Sequence, residues 1–190
     1  MRFARLIPLV AGSICAFGCG DGSGMAPSTP STLSIMIKDA PYEDAKAVFV
    51  TFSEVSVHAS GGAFTAIPFA NNVSTRTCDL KQLATAQDIL GTGGLTTGHY
   101  TQIRLVVASA TLYFDSAASG PPCGAVLPMP QGRNASVMVP SGEVRLNQEF
   151  DVSSTKATMI LIDFDGGRSV NLMGTGVYML SPVISVVSVQ

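Results

Sequence analysis

The sequence predicts an all-β domain, a Greek-key β-sandwich of two sheets of the immunoglobulin or prealbumin type, with one or two short helical turns. Apolar and polar residues alternate in about eight short segments, which is the period of a half-buried strand. Turns rich in Gly, Pro and Ser separate these segments at regular spacing, as in sandwiches. Helical spacing of apolar residues occurs in a single stretch, residues 78–90.

The domain begins with two strands and a hairpin. Apolar residues alternate over 33–37 and again over 48–57, where the alternation changes phase near Ser53. An extra residue in one strand produces such a change, so we expect a β-bulge at this point. A Gly-Gly turn then leads into residues 63–68, which are predicted to return as the second strand of a hairpin.

The remaining elements are one helical stretch and a series of short strands. In 78–90 the apolar residues fit a helix loosely, and Gly91 is expected to end it. Tyr100 follows a Gly turn and enters a strand, a position from which a phenol hydroxyl caps backbone groups at a sandwich corner. A loop rich in Pro and Gly is expected at 120–132. Strands are expected at 101–107, at 111–114, at 135–139, around Val144, around Phe150, at 158–163 and at 177–189.

The N-terminal residues predict export and lipid attachment. Arg2 and Arg5 precede a short apolar run, the order found in secretory signal peptides, and the run is too short to span a bilayer as a helix. Small residues then lead to Cys19 in a segment, Ala-Phe-Gly-Cys, that resembles the lipobox of bacterial lipoproteins. By this resemblance residues 1–18 are removed as a signal peptide and Cys19 carries lipid. The alternative is an ordinary secreted protein cleaved nearby, with Cys19 as a free thiol.

The residues around Cys19 define the attachment and the domain boundary. Residues 19–32 hold the lipidated cysteine and a tether of Gly, Ser, Pro and Thr that has too few apolar residues to fold. The β-sandwich domain is therefore predicted at 33–190. Gly20, rather than Asp, follows the cysteine, which by the same resemblance indicates the outer membrane of a Gram-negative bacterium. Cys15 is a weaker lipid site because a bulky residue precedes it.

Composition excludes one class of partner. The chain of 190 residues has 11 Lys and Arg against 13 Asp and Glu, and 13% of its residues are charged. Since no basic cluster is present to follow a phosphate backbone, nucleic acid is not an expected partner. The expected contacts are the membrane, through the lipid, and an envelope protein or a polysaccharide.

Two cysteines lie in the predicted domain, Cys78 and Cys123. Outside the cytoplasm, two thiols without C-x-x-C spacing form a disulfide more often than a metal site. A bridge between them would stabilise the fold by about 3–4 kcal/mol in the chain-entropy model. The alternative is that both stay reduced and apart, because the sequence does not define their geometry.

Carboxylates form the candidate metal site. Asp163 and Asp165 are two residues apart on a predicted strand, so they project from one face. Asp39 belongs to a second acidic group, with Glu43 and Asp44, in the loop after the first strand. If the two loops share one end of the sandwich, Asp39, Asp163 and Asp165 would bind Ca²⁺ with the help of backbone carbonyls. Alternatively, Asp39 forms a turn, Asp163 pairs with an arginine and the acidic loops are solvated. No other cofactor is expected.

The sequence contains no nucleophile motif of a hydrolase. Ser141 lies in Pro-Ser-Gly and not in a Gly-x-Ser-x-Gly elbow. A triad of Ser141, His99 and Asp163 can be drawn, but nothing in the spacing supports it. The chain has no Trp to stack on sugars, and its 4 Tyr residues fit strand and corner positions better than a glycan platform. We therefore predict that the protein is not an enzyme and has no catalytic residue.

Six segments, taken together and in order, resemble a known family. They lie at 38–41 (Lys-Asp-Ala-Pro), 47–58, 98–105, 139–142 (Val-Pro-Ser-Gly), 163–165 (Asp-Phe-Asp) and 178–184. Their order and content are similar to the domain of unknown function 4382 family of bacterial lipoproteins, from Leu33 to Val187. The resemblance implies an envelope lipoprotein with a β domain and no established activity. The chain departs from the family after Gly142, where the family continues toward Gly-Leu-Lys and this chain has Glu-Val-Arg-Leu.

These observations predict a lipid-anchored lipoprotein of the cell envelope whose β-sandwich is a non-catalytic binding or structural module. The alternative is a glycan- or Ca²⁺-binding accessory domain of an envelope complex. A hydrolase is the remote alternative.

Overall fold

A computed structural model describes residues 30–190 of the protein. Within them the chain forms two β-sheets, two short α-helices and one 3-10 turn. The all-β, two-sheet sandwich predicted from the alternation is confirmed. No helix in this part of the chain is long and apolar enough to cross a membrane. The predicted signal peptide, Cys19 and the tether up to residue 29 lie outside the described residues and stay predictions.

The elements are numbered in chain order. The strands are β1 (Ser31–Ala40), β2 (Ala47–Ala59), β3 (Phe64–Ala66), β4 (Arg76–Asp79), β5 (Asp88–Leu95), β6 (Gly98–Tyr113), β7 (Cys123–Gly124), β8 (Asn134–Met138), β9 (Glu143–Val152), β10 (Thr158–Asp165), β11 (Val170–Leu172), β12 (Tyr178–Leu180) and β13 (Ile184–Val189). The helices are α1 (Leu80–Leu83) and α2 (Gly166–Ser169), and the 3-10 turn is Ala70–Asn72.

The smaller sheet has four strands in the order β13-β10-β1-β5. Its central strand β1 pairs in parallel with β10, with Leu33 opposite Thr158, and antiparallel with β5. Because successive side chains of a strand point to opposite faces, one set of β1 residues enters the core. Leu33, Ile35 and Ile37 are fully buried for this reason.

The larger sheet is built on the two longest strands, β2 and β6, which pair antiparallel along most of their length. The other edge of β6 has two partners, β8 near its C-terminal end and β9 near its N-terminal end. The β11–β12 hairpin extends the sheet beyond β8, where β12 and β8 are parallel. The sheet is therefore interrupted between the end of β8 and the start of β9.

The predicted bulge in β2 is confirmed. Phe52 lies opposite Val107 and Glu54 lies opposite Val106, so Ser53 is an extra residue on β2. The extra residue changes the phase of the strand. Phe52 and Val55 consequently both point into the core, at 0% and 1% exposure, although they are an odd number of residues apart.

Aromatic side chains join the two sheets and fix one corner. Phe52 of the larger sheet meets Phe164 of the smaller sheet edge to face, with ring centroids 6.2 Å apart. Tyr100 stacks on Phe150 at 5.3 Å, and its hydroxyl donates to the carbonyl oxygen of Thr96 at 2.9 Å. This contact confirms the corner role predicted for Tyr100.

One long side of the sandwich, where β5 faces β4, is covered by the chain itself; we call it the sealed side. The segment after β3 pairs with the outer edge of β5: Thr92 N–H donates to Pro68 O at 2.9 Å, and Phe69 lies opposite Gly91. A Cβ on Gly91 would lie 2.9 Å from Pro68 O, so glycine permits this close approach. The edge of β5 is thus closed by a short extended segment.

Two cross-links close the sealed side further. Arg76 of β4 and Asp88 of β5 join the sheets through an Nη2–Oδ1 contact of 3.0 Å. Cys78 and Cys123 form the predicted disulfide, which is confirmed. Asp88 connects the two features, because its second oxygen accepts from Cys123 N–H at 3.2 Å.

The helical prediction is right in part. The helix α1 lies inside 78–90, and Asp79 caps it by accepting from Lys81 N–H at 3.2 Å. The prediction is wrong for Ile89 and Leu90, which belong to β5. Pairing of Ile89 with Met36 and complete burial of Leu90 outweigh the local helical spacing.

Several strand boundaries also differ from the predictions. The segment 111–114 is mostly the end of β6, and Val144 and Phe150 lie on one strand, β9. The segment 177–189 is divided into β12 and β13, because Pro182 lies between them and cannot donate to a ladder. Neither β11 nor α2 was predicted.

Candidate functional site

The opposite long side of the sandwich, where β9 faces β13, is not covered; we call it the open side. Within residues 30–190, β9 pairs with β6 alone and β13 pairs with β10 alone. Each strand therefore has one edge without a strand partner. A groove of about 490 Å³ lies beside these edges and is lined by residues of 140–145 and 180–183.

The floor of the groove is apolar and incompletely covered. Val144 and the wall residues Leu180 and Val183 form this floor, and Val144 stays half-buried. Beside the groove, Ile184 and Val186 of β13 pack against the main core and are also half-buried. On the sealed side, Leu90 of the edge strand β5 and Ile67 of the segment that covers it are 0% and 3% exposed. The open side thus leaves core-facing apolar surface accessible, as ligand grooves do.

The free edge of β9 presents backbone groups to the groove. Val107 N–H of β6 donates to Gly142 O at 2.7 Å, so Gly142 directs its carbonyl to β6. In an antiparallel strand the N–H and C=O of one residue point to the same side, and that side alternates along the chain. The backbone groups of Glu143 and Arg145 therefore point away from β6, toward the groove.

The side chains of these two residues lie on the outer face and pair with each other. Arg145 Nε donates to Glu143 Oε1. The Arg145 guanidinium also lies 5.8 Å from the centroid of the Phe64 ring, and Arg104 covers the same ring at 4.1 Å. The rim of the groove consequently has one charge of each sign, already paired, and no net charge.

The second wall of the groove, residues 180–183, is fixed by Ser169. This serine is fully buried, and its hydroxyl donates to Asp165 O at 2.6 Å while accepting from Val183 N–H at 2.8 Å. Its carbonyl accepts from Ser181 N–H at 2.9 Å. Two of these hydrogen bonds hold the wall, at Ser181 and Val183, and the third ties Ser169 to Asp165.

Ser169 is itself placed by α2, which two aspartates support. Asp165 caps α2 by accepting from Arg168 N–H at 2.9 Å. Asp39 accepts from Gly166 N–H at 2.8 Å. A Cβ on Gly166 would lie 3.0 Å from Asp39 Oδ1, so glycine permits this close contact without a shift of the Asp39 side chain. The wall of the groove therefore depends on a chain of contacts that begins at Asp39.

Asp39 is only 6% exposed, and its Oδ2 has no hydrogen-bond partner among the described residues. Burial raises the pKa of Asp39 to about 7, and the hydrogen bond from Gly166 lowers it. The nearby carboxylates Asp163 and Asp165 raise the pKa further, whereas Lys81 lowers it. The support of α2 therefore includes a carboxyl group that changes charge near neutral pH.

The structure places the predicted metal ligands near one another but gives them separate partners. Asp39 points into the core and supports α2, whereas Asp163 lies on the outer face and pairs with Lys38 at 3.2 Å. Asp165 caps α2. In residues 30–190, no three His, Cys, Asp or Glu side chains are grouped so as to hold a metal ion. Calcium binding by these aspartates stays a prediction.

The residues of the imagined triad lie apart. Ser141 lines the groove, whereas His99 Nδ1 bonds to Asp151 Oδ1 at 2.9 Å on the larger sheet and Asp163 is on the smaller sheet. The other histidine, His58, contacts Thr101 at 3.2 Å through Nδ1. The absence of enzyme activity stays a prediction.

Sequence reasoning did not identify Ser169 or the free edge of β9. A buried serine inside a short helix produces no periodic sequence pattern. Whether a strand edge is free depends on the pairing of distant strands, which the sequence does not show. One signal was present: four of the six segments that carried the family resemblance, 38–41, 139–142, 163–165 and 178–184, meet around this groove or support its wall.

Comparison with known proteins identifies the family of this chain, but no individual protein that resembles it. The model of the family described as Domain of unknown function (DUF4382) matches residues 30–182. The match covers more than half of the chain, so the protein belongs to this family, and the suspected resemblance is confirmed. No curated protein and no solved structure matches the chain.

Proposed function

We propose that the protein is a lipid-anchored, non-catalytic binding module of the bacterial cell envelope. The groove on the open side is the observation that carries this proposal. Its volume of about 490 Å³ is in the range of ligand sites. An apolar floor, the uncovered edge of β9 and a wall held by Ser169 give it the properties of a preformed binding site.

The N-terminal sequence supports the anchoring part of the proposal. The lipobox-like segment ends at Cys19, and the first strand begins at Ser31, so a short tether connects lipid and domain. β1 has 10 residues and therefore runs about 30 Å from the tether to Asp39. The α2 end of the sandwich, which supports the groove wall, is thus the end remote from the tether.

The lining of the groove supports binding rather than catalysis. Its one carboxylate, Glu143, is paired with Arg145, and the lining contains no histidine or cysteine. The two serines of the lining, Ser141 and Ser181, have no base beside them in the groove. A nucleophile needs a neighbouring base for activation, and this arrangement provides none.

The anchor is tested by replacing the two candidate lipid sites separately. We expect Cys19→Ser to move the protein from the membrane fraction to the soluble fraction, because the favoured acyl site is lost. Cys15→Ser is the matched control and should leave the protein in the membrane fraction. A mature N-terminus other than an acylated Cys19, found by mass spectrometry, would contradict the proposal.

The binding role is tested by thermal shift with Ca²⁺, with neutral and acidic polysaccharides and with extended peptides. A ligand of the groove should raise the melting temperature and slow hydrogen exchange at 143–146 or 180–183. A melting temperature unmoved by every one of these ligands would favour a structural role. A shift with Ca²⁺ that Asp163→Asn removes would support the alternative of a calcium-binding domain.

A further inference from the structure

The features of the groove on the open side favour one kind of ligand. This inference rests on the binding role proposed above. We propose that the groove binds an extended polypeptide segment of a partner protein, which adds as a strand to the free edge of β9. The ligand is recognised mainly through its backbone. Three observations within residues 30–190 support this assignment.

The first observation is the orientation of the backbone at the start of β9. The N–H and C=O groups of Glu143 and Arg145 point into the groove and have no strand partner in the described part of the chain. Backbone groups at a free edge recognise another backbone, because spacing and direction of the donors and acceptors match those of an extended chain. A polypeptide satisfies both residues at once.

The second observation is the chemistry of the lining. No aromatic residue lines the groove, so a sugar ring has no platform on which to stack. Glu143 and Arg145 neutralise each other, so the rim does not select a charged ligand. The floor, formed by Val144 and the wall residues Leu180 and Val183, is apolar. The ligand should therefore have apolar side chains at alternate positions, which face this floor.

The third observation is that the molecule covers the equivalent edge on its sealed side in the same manner. There an extended segment of its own chain, Pro68 and Phe69, pairs with Thr92 and Gly91 of β5. The adjoining apolar residues Ile67 and Leu90 are then almost fully buried. On the open side no segment of residues 30–190 performs this role, and Val144 and Ile184 stay half-buried. A strand from a partner would complete the open side.

The side chain of Arg145 does not block this addition. It is drawn to the outer face by Glu143 and by the Phe64 ring, at 5.8 Å from the guanidinium. The wall at 180–183 is held in place by the hydrogen bonds of Ser181 and Val183 to Ser169. An ordered wall of this kind lowers the entropic cost of binding a strand.

The experiment uses the full-length protein and two capped octapeptides. One alternates valine and threonine; the other carries proline in place of every threonine and cannot complete a ladder. We expect the first peptide to slow hydrogen exchange at 143–146 by about tenfold or more, and the proline peptide to have no effect, because only the first protects edge amides. No slowing with the first peptide, or equal slowing with both, would overturn the inference.

Two variants at one position separate backbone from side chain. Arg145→Ala keeps the edge N–H and should bind the valine–threonine peptide as the natural protein does. Arg145→Pro removes that N–H and should weaken binding by about tenfold, the effect of one lost hydrogen bond. Equal weakening in both variants would overturn the inference. If the proline variant does not fold, the proline peptide still tests the same hydrogen bonds.

Two further outcomes distinguish this inference from the proposed function. Slowing at 143–146 by a polysaccharide and not by the peptide would overturn the peptide assignment and leave the binding role intact. Slowing that increases with protein concentration in the absence of peptide would show that a second copy occupies the edge, which also overturns the assignment. Exchange unaffected by every ligand would overturn both.

Discussion

The two long sides of this sandwich solve the same problem differently. On each side a strand edge has backbone groups without a partner in its own sheet, and core-facing apolar residues lie next to it. On the sealed side the chain covers β5 with Pro68 and Phe69 and adds a disulfide and the Arg76–Asp88 pair. On the open side, β9 and β13 keep free edges, within residues 30–190, beside a groove of about 490 Å³. The sealed side carries the cross-links, whereas the open side leaves strand edges and apolar residues accessible to solvent.

This difference fits the general behaviour of binding proteins. A site needs surface that the fold has not already used, and the rest of the molecule must supply the missing stability. The wall of the groove is nevertheless ordered, because Ser169 accepts hydrogen bonds from Val183 N–H and Ser181 N–H and donates its own to Asp165. The open side is therefore uncovered, but its backbone is ordered.

The largest expected effect is loss of the disulfide on the sealed side. Replacing Cys78 and Cys123 together by alanine releases a constraint between residues 45 apart in sequence. We expect the free energy of unfolding to fall by about 4 kcal/mol, measured by urea denaturation. Reduction of the natural protein should give a similar loss. Hydrogen exchange should accelerate at β4 and β7 more than at β9; uniform acceleration would contradict a localised constraint.

A matched pair of isoleucines compares the two sides directly. Ile67 is 3% exposed on the sealed side, whereas Ile184 is half-buried on the open side. We expect Ile67→Ala to lower the free energy of unfolding by about 3 kcal/mol and Ile184→Ala by about 1 kcal/mol, because the second site already contacts solvent. Equal losses, measured under the same conditions, would mean that the open side is as well packed as the sealed side.

The smallest effect concerns the support of the open-side wall by Asp39. Its pKa of about 7 lies above the ordinary value of 3.8, so the folded protein binds an extra proton between these values. This contribution to stability is complete below about pH 4 and is lost as the pH rises through about 7.

Asp39→Asn tests this pH dependence. The Asn oxygen can still accept from Gly166, whereas its NH₂ group inherits the position that has no partner among the described residues. At pH 8, where Asp39 of the natural protein is ionised, we expect the variant to have a free energy of unfolding about 1–2 kcal/mol higher than the natural protein. At pH 4, where Asp39 is protonated, we expect no gain. Urea denaturation at both pH values measures this difference. A variant less stable than the natural protein at pH 8 would contradict the assigned pKa.

Much of the fold followed from local patterns. The alternation in β1, β2 and β10, the bulge at Ser53 and the corner at Tyr100 were all predictable, because each depends on residues close in sequence. The helix prediction failed at Ile89 and Leu90, where pairing with β1 decides the conformation. The disulfide was predictable from composition, although its geometry was not.

The candidate site was predictable only in fragments. Asp39 was singled out as a metal ligand, and Ser141 was considered as a nucleophile and rejected. The structure places Asp39 at the support of the groove and Ser141 in its lining. Ser169 gave no signal. Its role depends on Asp165, Ser181 and Val183 meeting around one residue, and no local pattern encodes that meeting.

Sequence by itself determined the all-β class and the membership in a family of unknown function, and it is the basis on which we propose export and lipid attachment. Those properties reside in periodicity, in composition and in short contiguous segments. Tertiary structure alone decided which strand edges are covered and which are free. That outcome depends on pairing between residues far apart in the chain, such as Pro68 with Thr92 on one side and the missing partner of Arg145 on the other, within residues 30–190.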